Sequence, residues 1–145
     1  MSLTEDFLTP EDEKEIVHAI SLAEKNTSGE IRVHIEAHAE KPPLERAKEV
    51  FHALGMDATQ AKNGVLFHVG VQDHSFAIIG DKGIDDLVED DFWDCTKDLV
   101  IGHFKNKEYK EGLVNGILKA GERLKKYFPY ENDDTNELSN EISKG

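Results

Sequence analysis

A single cysteine in 145 residues, Cys95, excludes an internal disulfide. It has no base or metal-ligand spacing around it and reads as a small apolar core residue, not as a reactive thiol. Positive charge is scarce too: 17 Lys and Arg stand against 30 Asp and Glu, a formal net charge of −13. Such a chain repels phosphate backbones and anionic lipid, so neither nucleic acid nor a membrane surface is an expected partner. No apolar run approaches the roughly 20 residues of a membrane helix, so direct insertion is not expected either. The first residues carry Glu5 and Asp6 in place of a basic leader region and do not read as a secretory signal. As written the chain reads as cytoplasmic, and as periplasmic if a leader has been removed. Motifs for nucleophilic and phosphate chemistry are missing as well. There is no Gly-x-Ser-x-Gly elbow and no Gly-rich loop followed by Lys-Ser/Thr.

What is present is enough for one domain. Hydrophobic residues make up 38% of the chain, which supplies a core, and charged residues 32%, which solvate its surface. The reading is an N-terminal arm at 1–8, a single α/β domain at 9–130 and a disordered acidic tail at 131–145. A monomer is expected. Thr9-Pro10-Glu11-Asp12 opens a helix, with Ile16, Ala19, Ile20 and Ala23 at helical spacing. Glu30 to Ala37 alternates: Ile31, Val33 and Ile35 on one face, Glu30, Arg32, His34 and Glu36 on the other. That pattern predicts a strand with one polar face, at or near a sheet edge. A helix after Pro43 carries Leu44, Ala47, Val50, Phe51 and Leu54, and Met56 to Asn63 reads as a polar connection. Gly64–Val71 and Phe76–Ile79 are apolar strands joined by a short turn, hence an antiparallel hairpin. Two helices follow, over about 89–106 and 109–128.

This order makes a topological prediction. The first two strands, linked by a helix, should be parallel, and the third returns. Three junctions then meet at one end of the sheet: Ser28-Gly29-Glu30, Lys62-Asn63-Gly64 and Gly80-Asp81-Lys82-Gly83. Near that end lie Asp81, Asp85, Asp86, Glu89, Asp90, Asp91 and Asp94. Carboxylates this close raise one another's pKa, and a bound cation relieves the repulsion. Ca²⁺ suits such a site, taking six to eight oxygens from carboxylates, carbonyls and water; Mg²⁺ demands a tighter octahedron. The candidate ligands are Asp81, Asp85, Asp86, Glu30 and Asn63, with Asp57 and Glu89 weaker. Asp57 also reads as a cap, and Glu89 to Asp91 as the acidic start of a helix. The segment does not match an EF-hand loop.

The same residues resemble the TPM domain family: Ser28-Gly29-Glu30-Ile31 on a strand, Phe51 before a Gly-containing loop, Asn63-Gly64-Val65-Leu66, and Gly80-Asp81-Lys82-Gly83-Ile84. Phe104-Lys105-Asn106 with Tyr109, Gly112 and Leu113 fits that family's helical pattern. The resemblance runs from about Thr9 to Phe128. It implies a three-layer α/β/α sandwich, a divalent-cation site often assigned to calcium, and an acid phosphatase activity reported for a plant member. The family includes thylakoid-lumen photosystem II repair proteins and a nematode acetylcholine-receptor modulator. Asp85 stands here where the family's loop often places a later acid beyond an aromatic residue. The functional expectation is a cation-binding module that acts through a protein partner or by stabilisation, with a weak metal-assisted phosphatase as the alternative.

Seven histidines raise a transition-metal reading. His34 and His68 could approach if their strands are neighbours, but no His-x₃-His pair or Cys-His spacing supports zinc. Surface or half-buried histidines are the preferred reading. No residue is marked as a catalytic group.

Overall fold

A computed structural model describes residues 7–37, 41–59, 62–72, 74–89, 91–130 and 142–144. Helix α1 spans Pro10–Glu24. Its start is a reciprocal cap: the Thr9 hydroxyl accepts from the Asp12 N–H at 3.1 Å, and the Asp12 carboxylate accepts from the Thr9 N–H at 3.2 Å. Strand β1 is Glu30–Glu36, helix α2 Pro43–Ala53, strand β2 Gly64–Gly70 and strand β3 Ser75–Gly80. A short turn of helix, α3, covers Lys82–Asp85; α4 is Asp94–Lys105, α5 Tyr109–Leu124, and β4 Ser143–Lys144.

The sheet order is β3-β2-β1-β4. β1 and β2 are parallel, with Glu30 opposite Gly64 and His34 opposite His68. β2 and β3 are antiparallel, with Val65 opposite Gly80. Alternation then sorts the side chains. Ile31, Val33, Ile35, Val65, Phe67, Val69, Phe76 and Ile78 enter the main core, which α1, α4 and α5 cover. On the other face Leu66 and Ala77 pack against Ala47, Val50 and Phe51 of α2 and against Met56. Helices on both faces give the expected three-layer α/β/α sandwich with a mixed sheet.

Close helix packing depends on glycine at particular places. A Cβ on Gly116 would stand 2.5 Å from Val100 Cγ2, and one on Gly121 would stand 2.7 Å from Ala23 Cβ. α5 therefore lies flush against both α4 and α1.

Several sequence expectations are corrected. β1 does lie near a sheet edge, beside the two-residue strand β4, but its polar face is not open to water: Glu30, His34 and Glu36 are buried. The reason is α2, which lays Arg46 over that polar face. The 56–63 connection is not uniformly polar, because Met56 is fully buried in the smaller core. Leu44, expected on the buried side of α2, is 51% exposed. Cys95 is exposed on α4 and is not a core residue. The helix expected over 89–106 starts at Asp94; before it, Phe92 is buried and Val88 and Trp93 are partly covered by the main core. The last long helix stops at Leu124, after which the chain turns back so that the Phe128 carbonyl accepts from the Ser28 N–H at 2.9 Å and from the Thr27 hydroxyl.

The last described residues fall within the stretch expected to be a disordered tail. Ile142 packs on the main core, and Ser143–Lys144 pairs in parallel with His34–Ile35 of β1. Residues 131–141 and 145 lie outside the described residues.

Candidate functional site

The three junctions do meet. The Glu30 N–H donates to the Asn63 carbonyl at 3.2 Å, and the Asp81 N–H donates to the Gly64 carbonyl at 2.9 Å. Glu30, Gly64 and Asp81 thus fall in one row across β1, β2 and the exit of β3. The middle position carries no side chain.

Beside this row an open cleft of about 580 Å³ runs between α2, β3 and α4. Asp81, Asp85, Glu89 and Asp94 line it, together with Lys48, Lys97 and an apolar wall that includes Phe51 and Trp93. Asp81 caps α3: its Oδ1 accepts from the Lys82 N–H at 2.7 Å. Its Oδ2 is buried and has no hydrogen-bond partner from the protein. A carboxylate oxygen left in that state is costly unless something else satisfies it. Burial pushes the Asp85 carboxyl up from its ordinary value, and repulsion from Asp86 and Asp81 adds to the effect, while Lys48 opposes it.

The other expected ligands are placed elsewhere. Asn63 is buried, and its side-chain amide donates to the Ser28 carbonyl at 3.2 Å, tying two junctions together. Glu30 is buried and does not line the cleft. Asp86 is exposed and pairs with Lys82 at 3.2 Å. Asp57 pairs with His52 at 2.8 Å, a contact that holds its carboxyl below the usual range. Of the seven, Asp81, Asp85 and Glu89 line the one cleft, though their carboxylate oxygens do not all fall within 4.8 Å of one another.

A second cluster lies further along β1, under α2. His34 Nε2 is 3.2 Å from Glu36 Oε1, and His68 Nε2 is 2.9 Å from Glu36 Oε2. Arg46 straddles the same carboxylate through Nε at 2.9 Å and Nη2 at 3.0 Å. His34, Glu36 and His68 are all buried, His68 completely. The two imidazoles stack with centroids 5.6 Å apart. Burial lowers both histidines, and hydrogen bonds to Glu36 only partly offset it. Burial raises Glu36, but hydrogen bonds from Arg46, His68 and His34 outweigh it and bring the carboxyl down to about 2. Both rings are therefore neutral at pH 7 beside an ionised carboxylate. His34 Nδ1 sits 2.9 Å from the Ser143 hydroxyl, whereas His68 Nδ1 is buried without a protein partner. The expectation of surface or half-buried histidines fails at these two positions. A strand alternation that placed His34 and Glu36 on one face was the available signal; the His34–His68 register was not.

Fold and site together define an α/β/α domain with an acidic cleft at one end of a mixed sheet. The TPM domain profile matches residues 2–123, and the chain belongs to that family. No protein of curated function matches it. The BA42 protein of the psychrophilic bacterium Bizionia argentinensis is 57% identical, with a TM-score of 0.92 over 97% of each chain. The N-terminal domain of a P. gingivalis protein matches with a TM-score of 0.70 at 17% identity, over 88% of this chain and 83% of that one. The N-terminal domain of the cg2496 protein of Corynebacterium glutamicum matches with a TM-score of 0.62 at 12% identity, over 95% of this chain and 80% of that one. These last two share the fold. Among the described residues, no helix is long and apolar enough to cross a membrane.

Proposed function

We propose that this TPM domain is a divalent-cation-binding module that takes Ca²⁺ in the acidic cleft and acts as an interaction or stabilising element. The observation that carries the reading is Asp81. One of its oxygens is buried without a partner beside Asp85, whose ionisation is already disfavoured. A cation between them satisfies the first and lowers the second. Glu89 supplies a further carboxylate from the cleft wall. The cluster offers oxygens only, which fits a hard cation, and Ca²⁺ accepts the irregular geometry better than Mg²⁺.

The test is a Ca²⁺ titration of chelator-treated protein. The expected result is a rise in thermal midpoint with amide shift changes centred on Asp81 to Asp86, both lost in an Asp81→Asn, Asp85→Asn variant. No thermal shift together with no amide response there sinks the reading. Metal-assisted phosphomonoester hydrolysis is a second reading, favoured by Lys48 and Lys97 beside the carboxylates of the same cleft. It fails if the double variant hydrolyses a generic phosphomonoester as fast as the parent.

A further inference from the structure

The cluster under α2 differs from the acidic cleft in chemistry and position. It offers two imidazoles and one carboxylate, all buried, where the cleft offers carboxylates beside two lysines. We propose that His34, Glu36 and His68 form a second metal site, for a first-row transition-metal dication and Zn²⁺ foremost, which opens when Arg46 moves from Glu36 to Glu49.

Geometry is the first support. A tetrahedral Zn²⁺ with bonds of about 2.0 Å places its ligand atoms about 3.3 Å apart. His34 Nε2 is 3.2 Å from Glu36 Oε1 and His68 Nε2 is 2.9 Å from Glu36 Oε2, each near that edge on its own carboxylate oxygen. One ligand atom from each of the three residues lies within 4.8 Å of the other two, so no edge of the tetrahedron has to close by more than about 1.5 Å. The residues sit on adjacent parallel strands in direct register, His34 opposite His68, which holds them together without a loop.

The protonation states are the second support. A metal needs neutral imidazole and ionised carboxylate. Burial keeps both rings neutral, and Glu36 is ionised, so the cluster binds metal at pH 7 without losing a proton to solvent. Coordination through Nε2 requires each ring to carry its proton on Nδ1 instead. The Ser143 hydroxyl, 2.9 Å from His34 Nδ1, accepts that hydrogen bond and orients the ring. A mixed nitrogen and oxygen set selects Zn²⁺, Ni²⁺ or Cu²⁺ over Ca²⁺ and Mg²⁺.

Arg46 is the gate. Its guanidinium neutralises Glu36 in the metal-free protein and stands where a cation would approach. Its side chain is 36% exposed, so this is also the side from which water reaches the cluster. Nη1 already lies 3.3 Å from Glu49 Oε1, an exposed alternative partner. When Arg46 shifts fully to Glu49, the metal takes its place on Glu36 and water completes the tetrahedron. Metal occupancy would then pin α2 to β1 and β2.

The experiment uses chelator-treated full chain. Zn²⁺ is titrated by calorimetry, Co²⁺ serves as the spectroscopic probe, and imidazole ¹⁵N shifts report on each histidine. The expected result is one ion per chain at this cluster, the intense visible bands of tetrahedral Co²⁺, and ring shifts at His34 and His68. His34→Gln and His68→Gln each weaken Zn²⁺ binding about tenfold or more, and Arg46→Gln strengthens it. Shifts confined to exposed rings such as His18, His52 and His74 overturn the proposal. So does unchanged affinity in both glutamine variants. If a variant fails to fold, the ring shifts of the parent still decide. Ca²⁺ binding read at Asp81 to Asp86 is independent of these variants, so the two sites fail separately.

Discussion

Glu36→Gln keeps the shape of the side chain and removes one charge, which isolates what that charge contributes. In the parent the carboxylate is 4% exposed and accepts from Arg46, His34 and His68. Moving a carboxyl from 4.5 in the unfolded chain to about 2 in the folded one is worth about 3 kcal/mol at neutral pH. Removing one partner of a buried ion pair independently costs roughly 3–5 kcal/mol. Both routes point to about 3 kcal/mol. With a urea slope of roughly 2 kcal/mol per molar, the midpoint should fall by about 1.5 M at pH 7. The sign with pH follows from the direction of each shift. Glu36 is lowered, so its contribution is complete above 4.5 and is lost as pH falls toward about 2. His34 and His68 are also lowered: the unfolded chain binds their protons first, so their contribution is complete above 6.5 and is lost below it. The parent therefore loses stability in two acid windows, and the variant keeps only the upper one. Glu49→Gln, which removes the exposed partner of the same arginine, should leave the midpoint nearly unchanged. A Glu36→Gln midpoint within about 0.3 M of the parent, well inside the shift expected from a buried pair, refutes the reasoning.

Gly121→Ala forces a methyl group against Ala23 and should cost about 1–3 kcal/mol, measured as a lower urea midpoint with the slope unchanged. Cys95→Ser should change stability by less than about 0.5 kcal/mol, and a thiol reagent should label Cys95 in the folded protein without denaturant.

Local patterns carried the elements well because local physics makes them. The Thr9 cap, the glycine-marked strand ends and the apolar periods of α1, β2 and β3 sit where the sequence placed them. The convergence of Glu30, Asn63 and Asp81 was legible too. It needs only a parallel crossover and a returning hairpin, and both follow from connection lengths. Burial was harder to read. Strand alternation shows that Glu30, Arg32, His34 and Glu36 share a face, but not whether water or a helix covers it. Charged residues on one face ordinarily mean solvent; here one arginine on α2 made burial affordable. Cys95 shows the reverse case, a residue type usually buried that the helix turned outward.

The sequence by itself determined an acidic α/β/α domain of the TPM family and the end of the sheet at which its carboxylates gather. Backbone connectivity and residue period suffice for that. Tertiary structure alone decided which acids share a space: Asp81, Asp85 and Glu89 line the cleft, whereas Asp57 and Asp86 pair with neighbours on the surface. It also decided that two histidines 34 positions apart stack over one glutamate. Register and helix placement are set by packing across the whole core, and no short window of sequence contains that information.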